Sequence, residues 1–103
     1  MNGAPDPQLQ ALGDPTRRGI VAQLRTGPVC VADLARRFPV SRPAISQHLR
    51  VLKDARLVRH RAAGSRRFYE LDPAGFETLR EYFDQFWSDA LAAFQREVEK
   101  PDR

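Results

Sequence analysis

Residues 41–58 read SRPAISQHLRVLKDARLV, and the organisation of the chain can be worked outward from them. Ser41 is a good helix N-cap, and Pro43 is tolerated in the first turn. The helix they open is predicted to run to about Ala55. Ile45, Leu49 and Leu52, spaced four and three apart, form its apolar face, with Ala44 and Val51 alongside. The other face carries Arg42, Pro43, Ser46, Gln47, Arg50 and Lys53. Just upstream, residues 31–38 (VADLARRF) predict a short helix with Leu34, Ala35 and Phe38 at helical spacing, ended by Pro39. A short helix, a tight turn at Val40-Ser41 and a second helix with a polar, arginine-bearing face make a helix-turn-helix arrangement.

Towards the N-terminus, residues 7–12 (PQLQAL) predict one short helix before Gly13. Asp14-Pro15 then reads as a helix start, an acidic N-cap followed by proline at the first helical position. That helix carries Ile20, Val21 and Leu24 on one face and is expected to stop near Gly27-Pro28. Towards the C-terminus, residues 57–62 (LVRHRA) and 66–71 (RRFYEL) read as extended, joined by a turn at Ala63-Gly64-Ser65, with Tyr69 and Leu71 on one face. From Pro73 to about Lys100 the pattern is helical again. Phe76, Leu79, Phe83, Phe86, Ala90 and Ala93 follow a 3-4-3-4-3 spacing, widened by Trp87, Leu91, Phe94 and Val98. Some 26 residues make a helix about 39 Å long, more than a domain of this size can cover alone. The expectation is a mainly α fold with one β-hairpin, in the order α-α-α-α-β-β-α. It forms one domain over 1–103, with N-terminal helices at 6–30, the helix-turn-helix at 31–55, the hairpin at 57–71 and the long helix at 73–100.

A chain of 103 residues holds one domain, and a domain this small gains from burial against a partner. The net charge is +4, but it is unevenly spread. Residues 17–67 hold thirteen Arg or Lys against two acids, a net of +11, whereas residues 68–103 carry −5 and residues 1–16 carry −2. The middle of the chain is therefore suited to a polyanion and the ends are not. Fifteen of the seventeen basic residues are arginine, whose planar fork suits phosphates and guanine edges. The single cysteine excludes an intrachain disulfide and any multi-cysteine zinc site. No apolar run approaches the ~20 residues of a membrane span. MNGAPDPQ lacks the pattern of a secretory signal, so a cytoplasmic protein is the expectation. The chain shows no Gly-rich phosphate loop, no Ser-His-Asp spacing and no paired carboxylates in an apolar setting, which argues against an enzyme.

These features converge on double-stranded DNA. The helix opened by Ser41 presents residues to the major groove. There Gln47 can pair with adenine, Arg42 or Arg50 can grip guanine, and Ser41 and Ser46 suit phosphates or bases. Its N-terminus itself favours a phosphate. The basic hairpin is a wing along the flanking minor groove or backbone, with Arg61, Arg66 and Arg67 near its tip favoured over Arg59. B-form dimensions suit such a helix, whereas the deep groove of A-form RNA excludes it.

The runs ALGDPTRRGIV, VADLARRFPVSRPAISQHLRVLKDARLV and RRFYELDP make the chain resemble the ArsR/SmtB family of bacterial winged-helix repressors over about residues 9–100. The resemblance implies a homodimer that binds a pseudo-palindromic operator and blocks transcription. Its terminal helices form the interface, here with Leu9, Leu12, Phe76, Leu79, Phe83, Phe86, Trp87, Ala90, Leu91 and Phe94. The DNA-facing set is Ser41, Arg42, Pro43, Ser46, Gln47, His48, Arg50, Arg61, Arg66 and Arg67. Many members have glycine where this chain has Arg56, which is expected to adopt a left-handed conformation.

Metal sensing is the family's familiar trait, and here the chain departs. Thiolate sensors carry a Cys-Val-Cys-Asp-Leu pattern where this chain reads Cys30-Val31-Ala32-Asp33-Leu34. The zinc sensors use histidines on the last helix, which has none here. His48 is expected to be packed or bonded near DNA and His60 to lie on the wing surface, so no sensory metal site and no cofactor are expected. Cys30 reads as a small, partly buried thiol, with a redox switch as the alternative. The aromatic stripe reads as dimer core, with an inducer pocket beside Phe83, Phe86 and Trp87 as the alternative; no polar cluster within it points to a ligand. Two other functions stand beside the repressor: an architectural DNA binder without sequence preference, and a winged helix used as a protein-interaction module.

Overall fold

A computed structural model describes residues 4–100. The reading of MNGAPDPQ falls partly on residues 1–3, outside the described residues, as do the charges of Asp102 and Arg103. The elements run α1 (Asp6–Ala11), α2 (Pro15–Gln23), β1 (Val29–Cys30), α3 (Val31–Arg36), α4 (Arg42–Asp54), β2 (Val58–Ala63), β3 (Arg66–Leu71) and α5 (Pro73–Glu99).

Local chemistry sets most boundaries. The Asp14 carboxylate accepts from the Arg17 backbone N–H, with Pro15 opening α2. Ser41 Oγ accepts from the Ala44 N–H at 3.2 Å and caps α4. The Asp72 carboxylate accepts from the Ala74 N–H and caps α5. At the C-terminus of α4, Arg56 adopts φ +60°, the left-handed conformation expected of it. The Arg56 N–H donates to the Lys53 carbonyl and the Leu57 N–H to the Leu52 carbonyl, both at 2.9 Å. This is the Schellman pattern that normally recruits glycine.

The structure corrects three expectations. The expected hairpin forms from β2 and β3, but a third antiparallel strand joins it in the order β1-β3-β2, so a strand stands between α2 and α3. Val29 pairs with Tyr69 and Cys30 with Phe68. Two residues are too few to show alternation, and their extended state is held by pairing with β3. Next, α2 stops at Gln23 rather than near Gly27-Pro28, because the Leu24 N–H is shared between the Ile20 and Val21 carbonyls and the chain turns through Gly27 at φ +138°. Finally, α3 ends at Arg36, two residues before Phe38, although Phe38 still packs on the core.

The core gathers Ile20, Leu24, Leu34, Ile45, Leu49, Leu52, Leu57 and Val58, each at most 2% exposed. Helix α5 joins it only through its first turns. Gly75 lies so close to the end of α4 that its N–H donates to the Arg56 carbonyl at 2.8 Å. A Cβ there would stand 2.8 Å from the Ala55 carbonyl oxygen and closer still to that of Arg56. Leu79 is buried, and from Arg80 to Lys100 every residue except Ala90 is exposed. The radius of gyration is 18.2 Å, against about 13 Å for a compact chain of this length. The excess comes from α5 projecting beyond the core.

Candidate nucleic-acid interface

Packing of Ile45, Leu49 and Leu52 into the core turns Arg42, Pro43, Ser46, Gln47 and Arg50 of α4 outward, and all five are exposed. Beside this face lies a cleft of about 850 Å3 between α3, α4 and the wing. Six cationic side chains line it: Arg36, Arg42, Arg50, Lys53, Arg66 and Arg67. Asp33 and Asp54 also reach it, and Asp33 is taken up by an ion pair with Arg36. Among the described residues, the other five cations have no ion-pair partner. Their potential reaches His60 on the same wall, whose protonated form is disfavoured by burial and then by Arg67 and Lys53.

The register gives the wing two faces. His60 pairs with Tyr69 and Ala62 with Arg67, so Arg67 lies on the face that includes buried Tyr69. Arg61 pairs with Phe68 and Ala63 with Arg66, which puts Arg61 on the other face, its guanidinium 6.0 Å from the Phe68 ring centroid. Arg59 is held at 2.8 Å by Glu70. Gly64 sits at φ +64° in the two-residue turn and brings the arginines to the tip.

Two of the ten DNA-facing residues are otherwise engaged. Ser41 Oγ accepts the α4 cap bond from the Ala44 N–H, which leaves its O–H able to donate. His48 is turned away from the cleft towards α2, where its Nδ1 lies 3.3 Å from Arg17 Nη1 and 4.0 Å from the Asp14 carboxylate. Arg17 and Arg18, counted in the basic stretch, donate to backbone carbonyls around the end of α1: Arg17 Nε to Ala11 at 2.6 Å and Arg18 Nη1 to Leu12 at 2.7 Å. The interface set also divides. Leu79 is buried in the chain's own core, and Phe76 and Leu12 pack against that core, so these three are occupied within one chain. Leu9, Phe83, Phe86, Trp87, Leu91 and Phe94 stand exposed, with Trp87 at 55% and Phe94 at 67%. Ala90 is half-buried.

Lys53 and Arg36 were not among the expected site residues. The signal for Lys53 was present: 42, 46, 50 and 53 are spaced four, four and three apart, one face of a helix. Cys30, in the wall of the cleft, is 5% exposed. Among the described residues, no three His, Cys, Asp or Glu side chains gather as metal donors, and no helix is long and apolar enough to cross a membrane.

Comparison with known proteins agrees with this geometry. Residues 14–60 match the family described as bacterial regulatory protein, arsR family. The HTH-type transcriptional regulator Rv2034 of Mycobacterium tuberculosis is 54% identical over 96 residues, covering 93% of this chain and 90% of that protein. The transcriptional repressor SdpR of Bacillus subtilis is 38% identical over 64 residues, 62% of this chain and 71% of its own. A crystal structure described as a possible transcriptional regulator for arsenical resistance superposes with a TM-score of 0.72 at 47% identity, covering 90% of this chain and 97% of that one. With 54% identity over nearly the whole of both chains and the arsR-family match over residues 14–60, the chain belongs to the ArsR family: a DNA-binding transcription regulator of winged-helix fold, not an enzyme.

Proposed function

We propose that the chain is a homodimeric repressor that covers promoter DNA at a pseudo-palindromic operator. Helix α4 enters the major groove, with Gln47 and Arg42 or Arg50 on base edges. Arg67 and Lys53 hold the backbone that runs through the cleft, and Arg61 and Arg66 lie along the flanking minor groove. The observation that carries this reading is the continuity of the cation-lined cleft with the exposed polar face of α4.

The exposed half of α5 supports the dimer reading. Leu9, Phe83, Phe86, Trp87, Leu91 and Phe94 are each between 38% and 67% exposed. Covering roughly 100 Å2 on each of these six side chains in two chains removes about 1200 Å2 from water, or about 30 kcal/mol before the costs of association. That area lies at the lower edge of the range for specific protein interfaces. A two-fold dimer places its half-sites about one helical turn, ~34 Å, apart.

Selection of bound sequences from random duplexes, followed by footprinting, tests the reading. The expected result is an inverted-repeat motif protected on one side of the duplex. Gln47→Ala should relax base preference by about 1–3 kcal/mol per half-site. Retention of full discrimination by that variant would remove α4 as the reader. Specific and random duplexes bound within tenfold would favour the architectural role.

A further inference from the structure

Helix α4 is fastened to the rest of the fold, on the side away from the cleft, by polar groups. Arg17 donates through Nε to the Ala11 carbonyl at 2.6 Å and through Nη2 to the Gln10 carbonyl at 3.5 Å, while its Nη1 reaches His48 Nδ1 at 3.3 Å. A guanidinium cannot accept a hydrogen bond, so in this contact Arg17 is the donor and Nδ1 the acceptor. The Asp14 carboxylate, fixed by the Arg17 backbone N–H, stands 4.0 Å from the same nitrogen. A second tie joins α1 to the end of α4, where buried Gln8 donates to the Ala55 carbonyl at 2.7 Å. Helix α1 also bears exposed Leu9.

We infer that His48, locked by the Arg17 fork, is a positioning residue that sets the presentation of α4 to the major groove without touching DNA. Geometry separates this role from a DNA contact. His48 is one residue from Gln47, yet its side chain is only 21% exposed and is turned to α2. The cleft is lined by Asp33, Arg36, His60, Arg66 and Arg67 from α3 and the wing and by Arg42, Arg50, Lys53 and Asp54 from α4, and His48 is not part of its lining. Base-edge pairing demands placement within a fraction of an ångström, whereas backbone attraction tolerates small shifts. Loosening the fastening therefore acts on sequence discrimination and leaves the electrostatic component of binding in place. The inference rests on α4 being the reader, which Gln47→Ala tests separately.

The experiment measures the affinity of the full-length chain for its selected duplex and for a random duplex, by fluorescence anisotropy over a series of salt concentrations. His48→Ala should weaken the selected duplex about tenfold, within the range of energetic coupling carried by residues that touch neither ligand, and change the random duplex less than about twofold. His48→Asn, whose amide oxygen can stand near the place of Nδ1 and accept from Arg17, should restore discrimination. A histidine bonded to phosphate would instead lower the salt slope by about one unit per contact. Such a drop, unchanged discrimination in His48→Ala, or an Asn variant as poor as the Ala variant overturns the inference. Circular dichroism first establishes that each variant is folded. If His48→Ala is not, Arg17→Lys takes its place, keeping the charge but losing the fork that reaches Ala11 and His48 together. Selective loss of the selected duplex in that variant supports the inference, and unaltered discrimination overturns it.

Discussion

The salt dependence of DNA binding is the most direct test of the cationic surface, and its size can be worked from the structure. Five cations without ion-pair partners among the described residues line the cleft, Arg42, Arg50, Lys53, Arg66 and Arg67, and Arg61 lies on the other face of the wing. With one or two of the α4 arginines assigned to base edges, as proposed above, about four phosphate contacts remain per chain and about eight per proposed dimer. Each neutralised phosphate contributes about −0.9 to the slope of log affinity against log salt, so the slope should be near −7. A fourfold rise in salt should then lower affinity by about 10^4. Arg67→Ala removes one contact from each chain, and the slope should become shallower by about 1.8. Because phosphates carry no base identity, the loss at fixed salt should be equal for selected and random duplexes. Fluorescence anisotropy titrations of a labelled duplex at five or so salt concentrations measure both quantities. A parent slope shallower than about −2 would refute the electrostatic argument, and an unchanged slope in Arg67→Ala would take that residue off the backbone.

Three further outcomes are expected. Trp87→Glu sets a charge in the exposed stripe of α5 and should yield a folded monomer in sedimentation experiments, with loss of tight DNA binding; a monomer of full affinity would contradict the dimer. Gly75→Ala drives a methyl group into the carbonyls of Ala55 and Arg56, which are backbone and cannot swing aside, so α5 must shift at a cost of about 2–3 kcal/mol. The thermal midpoint at fixed protein concentration should fall by at least about 10 °C, and an unaltered midpoint would show that the junction yields freely. Desolvation, and then Arg67 and Lys53, disfavour the protonated form of His60. Its depressed folded pKa means that the free protein loses stability as pH falls below the ordinary histidine value. Phosphates arriving in the cleft favour its protonation, so affinity should rise on acidification through that range. Replacement by Asn should flatten the affinity profile, and an unflattened profile would place the effect elsewhere.

What the linear chain could and could not convey depends on the range of the interactions concerned. Caps and periods act within one or two turns. Asp14, Ser41 and the apolar trio of α4 were therefore legible from neighbouring residues, the cationic middle was legible from counting, and the left-handed Arg56 was expected from the resemblance to the family. The strand Val29–Cys30 was not, since two residues carry no period and are extended only because Tyr69 and Phe68 lie opposite. The same holds for α5, whose stripe reads as uniform although only its first turns, through Gly75 and Leu79, are taken into the core. Arg17 meets His48 across 31 positions and Gln8 meets Ala55 across 47, so only folding could turn two residues counted as basic or DNA-facing into a fastening behind α4. Composition determined that this chain carries a cationic reading head, whereas the packing of α1 and α2 against α4 decided which charges face outward and which are spent holding it.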